Sequence, residues 1–149
     1  MYIFIILLAV TMIIVFSYRT HERRKIRREI EKIFHKIKNV EKNNTILTAF
    51  YVADKITSRT IEEDFRLEED YLHEYYTNLK ELTGFLGKSK DPMHELLMTD
   101  EERKKYAEVF EKLKEKEIEL KSVRKKRKDY DTVKETGSFT EVMRVILQN

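Results

Sequence analysis

One pairing of an acidic residue with a histidine has the spacing of a metal site. Asp70 and His73 stand three apart, with a glutamate on each side of the pair, and residues three apart on a helix can bind one metal ion. A two-metal helical site needs a second such pair, but Glu31 and His35 are four apart. The spacing favours a solvated helix face with ion pairs, and an enzyme using Asp70 and His73 is the alternative.

The sequence lacks the other common catalytic patterns. Its 149 residues include no cysteine, which excludes thiol catalysis and cysteine-ligated zinc. The 3 glycines are isolated and form no phosphate-binding loop, and no serine lies between glycines as a hydrolase nucleophile does. His94 and Glu95 begin like a zinc-protease motif, but Met98 stands where the second histidine belongs. We expect no cofactor, no metal and no enzymatic activity.

A basic run at 121–128 is the strongest candidate for binding a charged ligand. On a helix, one face of this run combines Lys121, Arg124, Lys125 and Lys128. Such a face binds phosphates, either of nucleic acid or of anionic lipid, but the interleaved aromatic residues that stack on bases are missing. Because glutamates precede the run at positions 115, 117 and 119, pairing within the chain is the simpler interpretation.

The first 18 residues are almost entirely apolar. From Tyr2 to Tyr18 only Thr11 and Ser17 interrupt the apolar run, and no charge occurs. A helix of this length spans about 26 Å, slightly less than a hydrocarbon core of about 30 Å, and a tyrosine at each end suits the membrane interface. Segment 1–18 is therefore predicted to be a transmembrane signal anchor.

Two other interpretations of segment 1–18 are less favoured. A helix buried in a soluble core would need an apolar surrounding, and the rest of the chain is too charged to supply it. A cleaved signal peptide usually has basic residues before its apolar run, whereas here no Lys or Arg precedes the run and six follow it within ten residues.

These six residues form a basic collar next to the apolar segment. The formal net charge of the chain is +3, and residues 19–28 alone hold six bases and one acid, so the alkaline character comes from the collar. Because positive residues stay on the cytosolic side, we expect the N-terminus outside and the C-terminal domain in the cytoplasm. The collar is also expected to bind anionic lipid. It consists of Arg19, Arg23, Arg24, Lys25, Arg27 and Arg28.

Residues 19–44 carry the collar and a heptad-like pattern. Apolar residues recur at spacings of four and three, with Asn44 at the next position of the series. The pattern predicts one face of a helical bundle or a short parallel coiled coil between copies. We expect the helix to continue from the membrane and to be interrupted at 43–45. The predicted self-association seam is Ile26, Ile30, Ile33, Ile37 and Val40.

Residues 45–149 are predicted to form a helical cytosolic domain. Charged residues make up 38 % of the chain, with 3 glycines and 1 proline, a composition that favours long helices. The most apolar stretch after the anchor, 46–57, is expected to form the centre of the core.

Helix boundaries in this domain are predicted from capping signals. Capping boxes of Thr60 with Glu63, Thr99 with Glu102 and Ser138 with Glu141 predict three helix starts. Gly84 is expected to end a helix in the left-handed conformation, with a loop from there to Asp91. Asp91 and Pro92 then begin a short helix.

The sequence therefore predicts an all-α protein with one N-terminal transmembrane helix. The expected function is a single-pass, membrane-anchored scaffold that presents a cytosolic surface to a protein partner or to another copy, as a homo-oligomer. The alternative is a membrane-tethered organiser of nucleic acid that uses the 121–128 face.

Overall fold

The computed structural model describes residues 2–137 and 139–148, in which five helices are joined by short turns. No strand occurs in these ranges, so the prediction of an all-α fold is confirmed. The helices are α1 (Tyr2–Thr57), α2 (Ile61–Lys88), α3 (Pro92–Leu97), α4 (Asp100–Thr136) and α5 (Phe139–Leu147).

Helix α1 is continuous from the apolar segment into the bundle. Its 56 residues correspond to a rod of about 84 Å. The interruption expected at 43–45 is wrong, because no Gly or Pro weakens the helix and its polar side chains bond within it. The hydroxyls of Thr45 and Thr48 donate to the carbonyl oxygens of Glu41 and Asn44, at 2.8 and 2.7 Å.

Helices α1, α2 and α4 form an elongated bundle with α2 in the middle. Helix α2 runs antiparallel to both neighbours and packs along each of them. The main core lies near the start of α4, where apolar residues of three helices meet, and a smaller cluster of Leu72, Leu120 and Val123 lies farther along α2 and α4. The main core comprises Ile33, Ile37, Leu79, Leu82, Leu86 and Val109.

Two of the predicted capping boxes are present and confirm their helix starts. The hydroxyl oxygen of Thr60 accepts from the Glu63 N–H at 3.1 Å, and the Glu63 carboxylate accepts from the Thr60 N–H at 3.2 Å. Thr99 and Glu102 make the same reciprocal pair at 3.2 and 2.9 Å. The third predicted box involves Ser138, which lies outside the described residues. Helix α5 nevertheless begins at the expected Phe139.

The turn between α2 and α3 is shorter than predicted. Gly84 does not end α2, which continues to Lys88, and the chain turns at 89–91. The buried side chains of Leu82 and Leu86 flank Gly84 and hold the helix against its neighbours, which outweighs the weak helix propensity of glycine. Asp91 caps α3 as predicted, accepting from the Met93 N–H at 2.9 Å.

The prediction that 46–57 forms the centre of the core is wrong. Ile46, Phe50 and Ile56 are 46 %, 66 % and 79 % exposed. In this stretch α1 contacts α2 through Thr48 and Tyr51 instead: Tyr51 stacks on Tyr71 with ring centroids 4.3 Å apart. The exposed apolar residues of 46–57 lie on the opposite side of α1, which no described helix covers.

Candidate functional site

The apolar segment of α1 is exposed along its whole length. None of its residues from Tyr2 to Tyr18 is buried by the rest of the chain. Among the described residues, α1 is the one helix long and apolar enough to cross a membrane. A contiguous exposed apolar run of this size is typical of a segment that contacts a membrane or another protein.

The basic collar divides into one paired arginine and five cations that pair with no described residue. Arg27 donates two hydrogen bonds to the Glu102 carboxylate, at 2.8 and 2.7 Å. Hydrogen bonding from Arg27 lowers the pKa of Glu102 below its ordinary value. The other five collar residues are exposed and make no ion pair with any described residue. Arg27 therefore fastens α1 to the start of α4, and the other five can meet a charged partner.

The central residues of the predicted self-association seam pack within the chain. Ile30, Ile33 and Ile37 are 0 %, 3 % and 1 % exposed, and Ile26 and Val40 are half-buried. This arrangement matches the bundle-face interpretation. A coiled coil between copies through the same residues would have to displace α2 and α4, and self-association there stays a prediction.

Asn44, at the next heptad position, is buried and has a specific partner. Its side-chain oxygen accepts a hydrogen bond of 2.8 Å from the Asn78 amide on α2, and the residue is 3 % exposed. A buried polar pair at a seam position is satisfied in one register only. Spacing alone marked Asn44 as unusual, but the partner is 34 residues away and no local signal identifies it.

The basic face at 121–128 is partly neutralised by the chain itself. Glu69 of α2 accepts from Arg124 at 3.1 Å and from Arg127 at 2.6 Å, and Lys121 pairs with Glu117 at 2.7 Å. The remaining two members of the predicted face, Lys125 and Lys128, are exposed and make no ion pair with the described residues.

The carboxylate of Glu69 is held in its charged form by the two arginines. Burial would raise its pKa, but the hydrogen bonds from Arg127 and Arg124 outweigh burial and the pKa lies below the ordinary value. One of these arginines, Arg124, also approaches the predicted metal-binding pair of Asp70 and His73. Its Nη2 lies 3.4 Å from His73 Nδ1. No group of three potential ligands is arranged to hold a metal among the described residues.

A buried histidine joins α3 to α1, which the sequence did not predict. His94 is 4 % exposed, and its Nε2 lies 3.1 Å from a carboxylate oxygen of Glu29. Its Nδ1 is buried without a hydrogen-bond partner among the described residues. The local sequence around His94 resembles the start of a zinc-protease motif. It gives no sign that His94 joins α3 to α1, because the partner Glu29 lies 65 residues away.

The exposed apolar side of α1 beyond the main core forms a surface that we call the distal face. Sequence reasoning placed these residues in the core, and only the position of α2 shows that they face outward. The stretch from Asn43 to Ala53 contains no charged residue. The distal face consists of Ile46, Ala49, Phe50, Val52, Ala53 and Ile56, all exposed.

Comparisons of the chain with protein-family models, with curated proteins and with solved structures find no match.

Proposed function

We propose that the chain is a single-pass membrane protein whose helical bundle lies in the cytoplasm and presents a binding surface to a protein partner or to another copy. The observation that carries this proposal is the exposed apolar run from Tyr2 to Tyr18 on the same unbroken helix as the bundle. The collar follows immediately, with five cations available to anionic headgroups.

The proposed mechanism is localisation without catalysis. A tether confines the bundle to a thin layer beside the membrane and so raises the effective concentration of a weak partner there. Helix α1 continues for 39 residues beyond Tyr18, or about 58 Å, and α2 and α4 brace this part of the rod. The bundle therefore begins close to the headgroups, where Arg27 bonds to Glu102, and its far end at Thr57 stands well clear of them.

Extraction of membranes at alkaline pH tests the anchor. We expect the full chain to stay in the membrane pellet and a Leu8→Arg, Ile13→Arg variant to be released, because each arginine at the centre of a membrane helix costs about 3 kcal/mol. A Leu8→Val, Ile13→Val variant is the matched control and should stay in the pellet. Release of the unaltered chain, or recovery of a chain that has lost its first residues, would rule out the signal anchor.

The alternative is a membrane-tethered nucleic-acid organiser, which is favoured only by the exposed Lys125 and Lys128. We expect the full chain in neutral lipid discs to bind DNA weakly, because the arginines beside these lysines already pair with Glu69. Measuring the DNA affinity at several salt concentrations separates the two functions. For an organiser, the logarithm of the binding constant should fall steeply and linearly with the logarithm of the salt concentration.

A further inference from the structure

The distal face has the composition of a covered surface although no described helix covers it. It lies opposite the side of α1 that contacts α2 through Asn44 and Tyr51. In a chain with 38 % charged residues, eleven consecutive residues from 43 to 53 carry no charge. Depletion of charge together with exposed aliphatic and aromatic side chains is typical of the centre of a protein interface.

The membrane itself is too far away to cover this face. Ile46 follows Tyr18 by 28 residues, or about 42 Å of helix, and Ile56 lies about 57 Å beyond it. The headgroup region on one side of a bilayer is less than about 10 Å deep. If the apolar segment crosses the membrane, the occupant of the distal face must be a protein.

We propose that the distal face binds the same face of a second copy of this chain, with the two α1 helices parallel and in register. A shared membrane orients all copies alike and holds the same residues at the same height. Such a contact places each residue near its own copy, so any charge in it would face a like charge. The uncharged stretch meets this requirement.

The centre of the distal face suits close approach of two helices. Ala49 and Ala53 lie one turn apart, and small residues at this spacing let helix backbones come close. The larger Ile46 and Phe50 flank them on one side, and Val52 flanks them on the other. Lys42, one turn before Ile46, marks the end of the contact nearer to the membrane, since the positive charges of the two Lys42 side chains would repel each other.

The contact is too short to hold a dimer in dilute solution. From Ile46 to Ile56 the face is about 15 Å long, and so short a strip of one helix buries much less area than the roughly 800 Å² per partner of a stable interface. The tether has to supply the missing affinity as effective concentration, so this inference rests on the proposed anchoring. We expect dimers in the membrane that dissociate on dilution in detergent.

Cross-linking of the full chain in membranes tests the proposal. The chain has no cysteine, so Ala53→Cys supplies the one thiol, and oxidation should give a disulfide-linked product of twice 18.1 kDa. The matched control is Glu74→Cys, an exposed position on α2 near Tyr71, which should give none. Adding Ala49→Glu or Ala49→Lys to Ala53→Cys should each reduce the product at least about tenfold by like-charge repulsion.

Producing the Ala49→Glu and Ala49→Lys chains together should restore the product, because opposite charges then meet across the contact. Glutamate and lysine are both good helix formers, and position 49 is exposed. A circular dichroism spectrum equal to that of the unaltered chain verifies that each variant is folded. Absence of the Ala53→Cys product in a chain that stays in the membrane overturns this inference alone. If the charged variants lose the disulfide-linked product and the mixture of Ala49→Glu and Ala49→Lys chains does not recover it, the in-register arrangement is overturned. A cross-linked product with a mass other than that of two chains overturns self-contact. A chain released from membranes contradicts the proposed anchor instead.

Discussion

The side-chain oxygen of Asn44 accepts a 2.8 Å hydrogen bond from the side-chain amide of Asn78, which joins α1 to α2 at a buried position. The pair lies between the main core and the stretch where the distal face turns outward. It therefore fixes which side of α1 faces α2, and with it which side remains exposed.

Asn44→Ala should destabilise the bundle by about 1–3 kcal/mol, because it leaves the Asn78 amide without its partner in a half-buried place. Replacing both residues by leucine should cost much less, since no unpaired polar group remains, but the register then loses its polar constraint. Chemical unfolding of the full chain in mild detergent measures both. Exposed Asn43→Ala is the control and should change stability by less than about 0.5 kcal/mol. Equal effects of Asn43→Ala and Asn44→Ala would refute the role of the pair.

The bond between Arg27 and Glu102 should make stability depend on pH. Because the pKa of Glu102 is lowered in the folded chain, its contribution is fully present above the unfolded pKa of about 4.3 and disappears as pH falls through the folded value. Glu102→Gln should be less stable than the unaltered chain at pH 7, and the difference should shrink with acidification. Unfolding followed from pH 7 downward measures this. Arg28→Gln, at an exposed collar position, should behave like the unaltered chain throughout; a Glu102→Gln deficit that persists in acid would contradict the account.

Shortening a side chain of α1 to alanine should cost much more stability in the main core than on the distal face. Ile37→Ala should cost about 2–5 kcal/mol, since Ile37 is 1 % exposed in the main core. Ile56→Ala, the same change at a position 79 % exposed, should cost less than about 0.5 kcal/mol. Thermal unfolding of both variants in detergent, where the proposed dimer is dissociated, makes the comparison. A large loss from Ile56→Ala would mean that 46–57 is core after all.

Glu69→Gln should free Arg124 and Arg127 and strengthen any binding of anions by the basic face. Each exposed ion pair contributes about 1 kcal/mol or less to stability, so the fold should persist. Binding of the full chain to a DNA duplex, with and without the substitution, measures the change. Glu74→Gln, on the same helix but in no ion pair with described residues, is the control and should have no effect. Equal binding by all three chains would show that Glu69 does not mask the face.

Local signals in the sequence predicted more of the fold than of its surfaces. The capping boxes at Thr60 and Thr99 predicted helix starts because their partners lie within three residues. The heptad spacing of Ile33 and Ile37 predicted a packed face, but it left open whether this face packs within the bundle or against another copy. Gly84 was misassigned because buried Leu82 and Leu86 hold α2 helical past it. The distal face was misassigned because apolar periodicity marks a face without showing whether another helix covers it. The partners of Arg27, Glu69 and His94 all come from distant parts of the chain.

Labelling of single cysteines distinguishes the two sides of the membrane and so tests whether the first helix anchors the chain with the bundle in the cytoplasm. The chain has no native cysteine. Tyr2→Cys therefore gives a unique thiol at the start of the apolar segment, and Lys125→Cys gives one on α4 in the bundle. With a membrane-impermeant maleimide, Tyr2→Cys should react in intact cells, whereas Lys125→Cys should react only after lysis. Reaction of Lys125→Cys in intact cells, or protection of both thiols until lysis, would contradict the account.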